Sequence, residues 1–334
     1  MRVGLIYDFT NPPRWQRDHA AVVADQLDAI AWAESLGIDD VWLPEHHFCD
    51  DGHAPSPLTM LAAIAARTSR VRIGTSVLLA PLYHPIRLAE EVALVDLLSG
   101  GRVDLGIGIG WAADEYEAFG VDPATRVGRT RELVDILRLA WSDEPVVFKG
   151  RHFTVDNVSV TPKPVQRPHP PIWGGANSLG AGRRIGTWGL PLLAVDPPVV
   201  AAYVEGLRET GRQAADGRLG GFLWMFVADD PDRAWDRIKD QLLYQRTRFS
   251  RPKYEPGGTV VPPSPPADLD ALMQSLRATV MTPEAAVADI AAQVDSLGVK
   301  VDTVFCFGRL PGVPEELNRR HVELMATAVA PAFR

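Results

Sequence analysis

Short apolar segments alternate with helix-like segments along most of this 334-residue chain, and this alternation restricts the fold more than any other feature. Apolar runs between turn signals are typical of strands that are buried on both faces. The segments between them carry apolar residues every three or four positions, which predicts helices packed on a sheet. The runs predicted as strands are 3–7, 40–43, 71–79, 103–109, 172–174, 190–195, 222–227 and 302–307. Eight strand–helix units predict a single α/β domain over residues 1–334, a (β/α)8 TIM barrel with insertions, whose functional groups lie at the carboxyl ends of the strands.

Two segments interrupt the alternation. Residues 142–170 are predicted as an excursion that contains a small hairpin around 148–153. Residues 246–282 are predicted as a loop, because the part at 251–266 has six prolines and little apolar periodicity. A lid over the site and a surface insertion without a role are both open interpretations of this loop.

Charge and cysteine content narrow the class of partner. The 34 basic and 42 acidic residues give a net charge of -8 without a sustained basic tract, which argues against binding nucleic acid or anionic lipid. Cys49 and Cys306 lie far apart and lack metal-ligand spacing, which is typical of a reducing compartment. No stretch approaches the roughly 20 apolar residues of a membrane span. We therefore expect a soluble cytoplasmic protein that acts on a small molecule.

The second predicted strand ends at Pro44 and is followed at once by Glu45, His46 and His47. Imidazole changes its charge near neutral pH, so this cluster suits proton transfer, anion stabilisation or metal binding. Adjacent side chains on an extended chain point to opposite sides, which makes a metal site shared by both histidines the weaker interpretation. One histidine is expected to face inward and act, while the other makes structural hydrogen bonds.

Two glycine-rich segments follow predicted strands. Residues 106–110 have the spacing GxGxG, whereas the dinucleotide-binding turn requires GxGxxG. Glycines such as Gly108 at a strand end let a flat ligand approach the backbone, or they relieve crowding inside the barrel. Residues 174–184 run from a turn into a helix, where unpaired peptide N–H groups and the positive helix end favour a phosphate over a bare turn. The positions predicted to bind this phosphate are Gly175, Asn177, Ser178, Gly180, Ala181 and Gly182.

Several ordered segments together resemble the bacterial luciferase-like family of flavin-dependent and F420-dependent oxidoreductases. They are 42–48 (Trp-Leu-Pro-Glu-His-His-Phe), 74–75, 84–85 with Glu90, 97–102 (Leu-Leu-Ser-Gly-Gly-Arg), 119–122 (Phe-Gly-Val-Asp), 189–191 and 282–284. The resemblance implies a (β/α)8 barrel, commonly dimeric, that binds reduced FMN or, in a sister branch, the deazaflavin F420.

Individual roles follow from the same resemblance. His46 matches the catalytic histidine of the luciferase α-subunit, and Asn177 with Ser178 matches its flavin phosphate site. Ser76-Val77, after Thr75, matches a position where the family often has a non-proline cis peptide beneath the flavin ring. Two positions depart from the family: Gly108 replaces the reactive cysteine of luciferase, and Trp111 replaces an acid of F420-dependent sugar-phosphate dehydrogenases.

The leading hypothesis is a monooxygenase that uses reduced FMN and O2 to oxygenate a small organic substrate. His46 is the predicted acid–base group, Glu45 orients an imidazole, and Thr75, Ser76, Val77, Gly108 and Trp111 join the predicted phosphate residues around the cofactor. Tyr7 and Tyr83 are further candidate walls of the pocket. A separate flavin reductase and a second copy of the chain are the expected partners. The alternatives are an F420-dependent hydride-transfer enzyme, a metal-dependent barrel hydrolase, and a non-catalytic partner subunit.

Overall fold

A closed barrel of eight parallel strands forms the centre of the molecule within the residues that the computed structural model describes, which are 1–248, 251–254, 259–263 and 266–334. The strands are β1 (Arg2–Ile6), β2 (Asp40–Leu43), β3 (Arg72–Thr75, continued by Leu78–Leu79), β4 (Val103–Gly108), β5 (Ile172–Gly175), β6 (Leu192–Leu193), β7 (Arg218–Phe222) and β8 (Lys300–Phe307). Each strand pairs in parallel with its neighbours, and β8 returns to β1, which closes the barrel. The predicted fold class is confirmed.

Helices surround the barrel. Those described are α1 (His19–Leu36), α2 (Pro57–Arg67), α3 (Pro85–Ser99), α4 (Ala113–Ala118), α5 (Arg126–Ala140), α6 (Leu179–Trp188), α7 (Pro197–Glu209), α8 (Pro231–Thr247), α9 (Leu269–Ala278), α10 (Pro283–Ser296) and α11 (Glu315–Leu324). Gly37 ends α1 with φ 104°, the left-handed cap that its position predicts. No helix of the described residues is long and apolar enough to cross a membrane.

The sixth and seventh strands differ from their predicted limits. The barrel uses only Leu192–Leu193 of the run 190–195, and β7 begins four residues before the predicted run 222–227. Gly220 and Gly221 lie inside β7, where an added Cβ would come within 2.8 Å of Thr303 and 2.9 Å of Val195. Glycine has no apolar side chain, so the apolar pattern is stronger at 222–227 than in the strand itself at 218–222. The end of that run, Phe226–Val227, pairs with Val280–Met281 outside the barrel.

The described residues of the two predicted insertions contain regular secondary structure. Val146–Lys149 and Thr154–Val158 form the expected antiparallel hairpin. In the segment 246–282, Lys253–Tyr254 pairs with Val260–Val261, and residues 269–278 form helix α9 where we predicted a loop. Residues 249–250, 255–258 and 264–265 of the predicted lid lie outside the described residues.

Aromatic side chains fill the middle of the barrel. The Trp42 ring stacks on Phe305 with centroids 5.0 Å apart and meets the edge of Trp173 at 6.3 Å. A Cβ at Gly74 would lie 2.6 Å from the Trp42 ring, and a Cβ at Gly106 would lie 1.9 Å from the Thr75 carbonyl oxygen. These two glycines therefore relieve crowding inside the barrel. Because the interior is packed, a ligand has access only at the ends of the strands.

An ionic cluster lies at the amino-terminal end of the barrel. Asp104 Oδ2 accepts hydrogen bonds from Arg72 Nε at 2.7 Å and Arg2 Nη1 at 3.0 Å, and Asp40 Oδ2 accepts one from the Thr303 hydroxyl at 2.6 Å. Burial acts to raise the pKa of Asp104, yet the two arginines hold that pKa below its ordinary value. Burial raises the pKa of Asp40 to about 6, although Arg2 opposes the shift.

Candidate active site

The carboxyl end of β2 places Glu45 in a buried position with three contacts. Its Oε2 accepts the Leu79 N–H at 2.5 Å, and its Oε1 accepts the Tyr83 hydroxyl at 2.6 Å. His47 Nε2 lies 3.2 Å from the same Oε1. Burial and the nearby Glu45 carboxylate raise the pKa of Tyr83, so its hydroxyl stays protonated and donates. Glu45 thus contacts the imidazole of His47, and Tyr83 is part of the same hydrogen-bond network.

His46 contacts a different carboxylate. Its Nδ1 lies 3.1 Å from Oε1 of Glu115, a fully buried residue on α4. The same Oε1 accepts the His47 backbone N–H at 2.9 Å and receives an Arg251 guanidinium nitrogen at 3.4 Å. The two adjacent histidines thus have separate carboxylate partners, in agreement with the prediction that they point to different sides.

Within the part of the chain that the structure describes, the rings of Trp111 and His53 flank the His46 ring. The ring of Trp111, beyond the end of β4, has its centroid 5.8 Å from that of His46, and the His53 ring lies at 5.0 Å. Burial, and then the positive charge of Arg248, hold the pKa of His53 well below its ordinary value, so this imidazole is neutral. Of these two imidazole rings, that of His46 is the more exposed: 13% of its side chain is accessible, whereas His53 is buried.

A cis peptide joins Ser76 to Val77, at the position that the family resemblance predicts. The Val77 side chain lies between two glycines: a Cβ at Gly108 would be 2.4 Å from its Cγ2, and a Cβ at Gly175 would be 2.6 Å from its Cγ1. The Thr75 hydroxyl donates to the Gly106 carbonyl at 2.6 Å. These residues of β3, β4 and β5 thus meet at one point of the barrel mouth. The space that the two glycines provide is filled by Val77, and contact of Gly108 with a flat ligand stays a prediction.

The amino end of α6 follows β5, as the glycine-rich segment predicts. Ser178 is the N-cap residue, and its hydroxyl accepts the Ala181 N–H at 3.4 Å. The first N–H groups of a helix have no acceptor within the helix, so those of Leu179 and Gly180 point toward the exposed end. Ala181 and Gly182 are buried, whereas Asn177, Ser178 and Gly180 are exposed.

Two arginines on helices of this region carry further positive charge: Arg184 lies on the second turn of α6 and Arg126 at the start of α5. Burial, and then repulsion from Arg126, lower the pKa of Arg184. Arg184 Nε is buried and has no hydrogen-bond partner among the described residues. Guanidinium donors of this kind suit an anionic group.

A short segment that we name the strap, residues 251–254, crosses the mouth beside His46. Ala113 N–H donates to the Pro252 carbonyl at 3.0 Å, and Tyr254 N–H donates to the Trp111 carbonyl at 3.0 Å. Arg251 also forms an ion pair with Asp114 and contacts the Cys49 sulfur at 3.3 Å. The strap is therefore anchored on the β4–α4 connection.

The predicted site residues fall into two groups that follow different strands of the barrel. Glu45 and His46 follow β2, and the predicted phosphate residues follow β5, with the cis peptide and Gly108 between them on β3 and β4. Sequence reasoning did not select Glu115, Arg251 and Arg126. It considered Arg184 and set it aside, because paired arginines on a helix more often form surface salt bridges. The available signal for Glu115 was an acidic run just after a strand end, but that run also contains Asp114 and Glu117. No set of three or more His, Cys, Asp or Glu side chains in the described ranges is arranged to hold a metal ion.

The sequence model of the luciferase-like monooxygenases matches residues 1–300, and the chain belongs to this family. It is an oxidoreductase enzyme of the luciferase-like monooxygenase type. Limonene 1,2-monooxygenase of Rhodococcus erythropolis is 28% identical over 338 residues, which cover 96% of this chain and 84% of the relative. An F420-dependent glucose-6-phosphate dehydrogenase of Kineococcus radiotolerans is 35% identical over 241 residues, 67% of this chain and 68% of the relative. The family thus includes relatives that are named for different chemistries.

A third relative matches a shorter part of the chain. The oxygenase component of the flavin-dependent trigonelline monooxygenase of Acinetobacter baylyi is 32% identical over 160 residues, 47% of this chain and 44% of the relative. Among solved structures, the monooxygenase RslO1 from Streptomyces bottropensis superposes with a TM-score of 0.83 over 100% of both chains at 23% identity. The oxygenating constituent of 3,6-diketocamphane monooxygenase from Pseudomonas putida, solved with FMN, gives a TM-score of 0.76 at 20% identity and covers 100% of this chain and 99% of that one. These structural similarities confirm the fold.

Proposed function

We propose that this enzyme uses reduced FMN and O2 to oxygenate a small organic substrate. The observation that carries the proposal is the combination of an anion cradle after β5 with an imidazole–carboxylate pair after β2 at the same barrel mouth. The cradle would consist of the Ser178-capped helix end together with Arg184 and Arg126, and it would hold the phosphate of a mononucleotide. Arg184 Nε, buried without a hydrogen-bond partner among the described residues, is the donor best suited to that phosphate.

The residues of the mouth would divide the work as follows. Ser178, Gly180 and Arg184 would hold the phosphate, while Val77 on the cis peptide and Gly108 would support the ring system. Reduced flavin supplies the electrons that activate O2. His46 would accept and return a proton at the reacting centre, and general acid–base groups of this kind contribute about 10²–10⁴-fold to rate.

Exclusion of water would be a second task of the chain. The strap hydrogen-bonds to both ends of the segment Trp111–Ala113, beside His46. A covered site strengthens electrostatic interactions and suppresses side reactions with water. The strap and the indole of Trp111 are the elements placed to provide this cover.

Hydride transfer with F420 is the second candidate, favoured by the 35% identity to an F420-dependent dehydrogenase. The oxygen dependence of turnover and the affinities for FMN and F420 distinguish the two functions. Reduced FMN with substrate should give product only in the presence of O2, and titration should show FMN binding tighter than F420. Turnover that persists under anaerobic conditions, or substrate-dependent reduction of F420, would replace our proposal by the rival.

The cradle is tested by a pair of matched cap variants. Ser178 and Thr282 both cap helices by accepting the N–H of the third following residue. Removing either cap costs about 1 kcal/mol of stability, so Ser178→Ala and Thr282→Ala should unfold at similar denaturant concentrations. Only Ser178→Ala should weaken FMN binding, which we expect to fall about tenfold as measured by fluorescence quenching. Equal FMN affinity in the two variants would show that the FMN phosphate does not bind at the amino end of α6.

Partners follow from the same proposal. A separate flavin reductase would supply reduced FMN, as the name "oxygenase component" of the trigonelline relative suggests for that protein. We propose that the chain works as a homodimer in the cytoplasm, where its two free cysteines stay reduced. Mixing with a reductase should raise product formation, and sedimentation should give twice the 36.5 kDa mass of one chain.

A further inference from the structure

Glu115 and Arg251 form a second layer of the site that no sequence motif indicated. Glu115 is a carboxylate with 0% exposure, and its Oε1 contacts the imidazole of His46, the backbone N–H of His47 and the guanidinium of Arg251. Two of these three contacts come from groups that can only donate hydrogen bonds. A carboxylate that receives such donors is itself the acceptor, so the third contact requires a proton on His46 Nδ1.

We infer that Glu115, held in place by Arg251, is a positioning residue that fixes the His46 imidazole as the Nδ1–H tautomer and leaves Nε2 as the proton-accepting atom. This inference rests on the proposed function only in assigning the reaction to His46; the geometry of the pair does not depend on the cofactor.

The strap makes this arrangement conditional on its own docking. Arg251 reaches Glu115, Asp114 and Cys49 from the start of the strap, whose backbone is hydrogen-bonded to the segment Trp111–Ala113. Among the described residues, the other charged or titratable groups near the His46 ring include His53, kept neutral by burial, and Arg248 beyond it. Arg251 Nη1 donates to Glu115 Oε1 at 3.4 Å, the same oxygen that contacts His46 Nδ1. Covering the mouth and orienting the proton-accepting nitrogen are therefore two results of one contact.

The test reads the tautomer directly in the protein without added flavin. The ¹⁵N chemical shifts of histidine ring nitrogens distinguish N–H from a nitrogen with a lone pair, and a His46→Asn spectrum assigns the signals. In the wild type we expect a single tautomer at His46 with the proton on Nδ1. Glu115→Gln introduces an amide that can donate to Nδ1, so the signal should become a mixture of tautomers; Glu115→Asp, which keeps the carboxylate, should restore the single form.

Glu34→Gln is the matched control, because Glu34 is also a buried carboxylate on a helix and accepts three backbone N–H groups from residues 69–71. It should leave the His46 signal unchanged. Arg251→Gln should produce a smaller change than Glu115→Gln, and turnover should fall in the order of the tautomer change. A single unchanged tautomer in folded Glu115→Gln would overturn the inference.

The result is separable from the proposed function. If FMN fails to bind while the tautomer responds to Glu115→Gln, the proposed cofactor is wrong and the positioning role stands. If FMN binds and turnover depends on O2 while the His46 tautomer is unchanged in Glu115→Gln, the positioning role is wrong and the proposed function stands.

Discussion

The two ends of the barrel both bury charged side chains, but they combine different groups. At the amino-terminal end, Arg2 and Arg72 face Asp40 and Asp104, so arginine charge is matched by carboxylate charge. At the carboxyl end, two carboxylates, Glu45 and Glu115, face two imidazoles and one guanidinium. Guanidinium keeps its charge at all accessible pH values, whereas imidazole exchanges a proton near neutrality. The first end thus holds charges that stay fixed, whereas the second also holds groups that can exchange a proton, and we propose that the first end serves stability and the second proton movement.

The largest expected effect belongs to the carboxyl end. His46→Ala should reduce product formation by about 10²–10⁴-fold, because it removes the proton-accepting group. Flavin affinity and the urea midpoint should stay near those of the wild type, since the phosphate cradle lies after a different strand. His47→Ala is the comparison variant and should lose less activity. Unchanged product formation by His46→Ala with normal flavin binding would refute its role.

Replacing a carboxylate at the other end should reverse this pattern. Asp104→Asn leaves two partly buried arginines without their shared partner, and we expect a loss of about 3 kcal/mol in the free energy of unfolding. Activity per folded molecule should be retained. The exposed pair of Arg14 and Asp240 provides the control, because Asp240→Asn should cost less than about 1 kcal/mol. A large loss of activity in folded Asp104→Asn would break the division between the two ends.

Asp40 at the amino-terminal end of the barrel and His321 near the carboxyl end should make the free energy of unfolding depend on pH in opposite directions. Asp40 has a pKa of about 6 when folded and 3.8 ordinarily, so its contribution to stability falls as the pH rises through that window. His321 is buried; its Nδ1 accepts the Val227 N–H and its Nε2 contacts the Phe307 carbonyl oxygen. Burial lowers the pKa of His321 from 6.5 to about 4. Its contribution is complete above pH 6.5 and is lost as the pH falls toward 4. Each effect is worth about 3 kcal/mol at most.

Two variants separate these slopes. Relative to the wild type, Asp40→Asn should gain stability as the pH rises from about 4 to about 6, and His321→Gln should gain stability as the pH falls from about 6.5 to about 4. Urea titrations at several pH values measure both. Parallel curves for wild type and Asp40→Asn would show that this carboxyl titrates normally in the folded protein.

The sequence predicted the barrel well because buried parallel strands are continuous apolar runs, and such runs stand out from helix-period segments. It misplaced β7 because Gly220 and Gly221 carry no apolar side chain, although the strand needs them for close approach of Thr303 and Val195. It missed α9 because the prolines before this helix dominated the interpretation of the segment. In the site, His46 could be selected because it follows a strand end. Its partner Glu115 could not, since the two residues are 69 positions apart and only the fold brings them together.

The separate carboxylate partners of His46 and His47 have a consequence for protein engineering. Glu45 belongs to the β2 connection and Glu115 to a helix after β4, so the two imidazole rings can be varied from different elements of the fold. Libraries at Tyr83 would act on the carboxylate partner of the His47 ring. Libraries that vary α4 would act on the partner of the His46 ring, and they must keep an acceptor for the His47 backbone N–H, which Glu115 also binds.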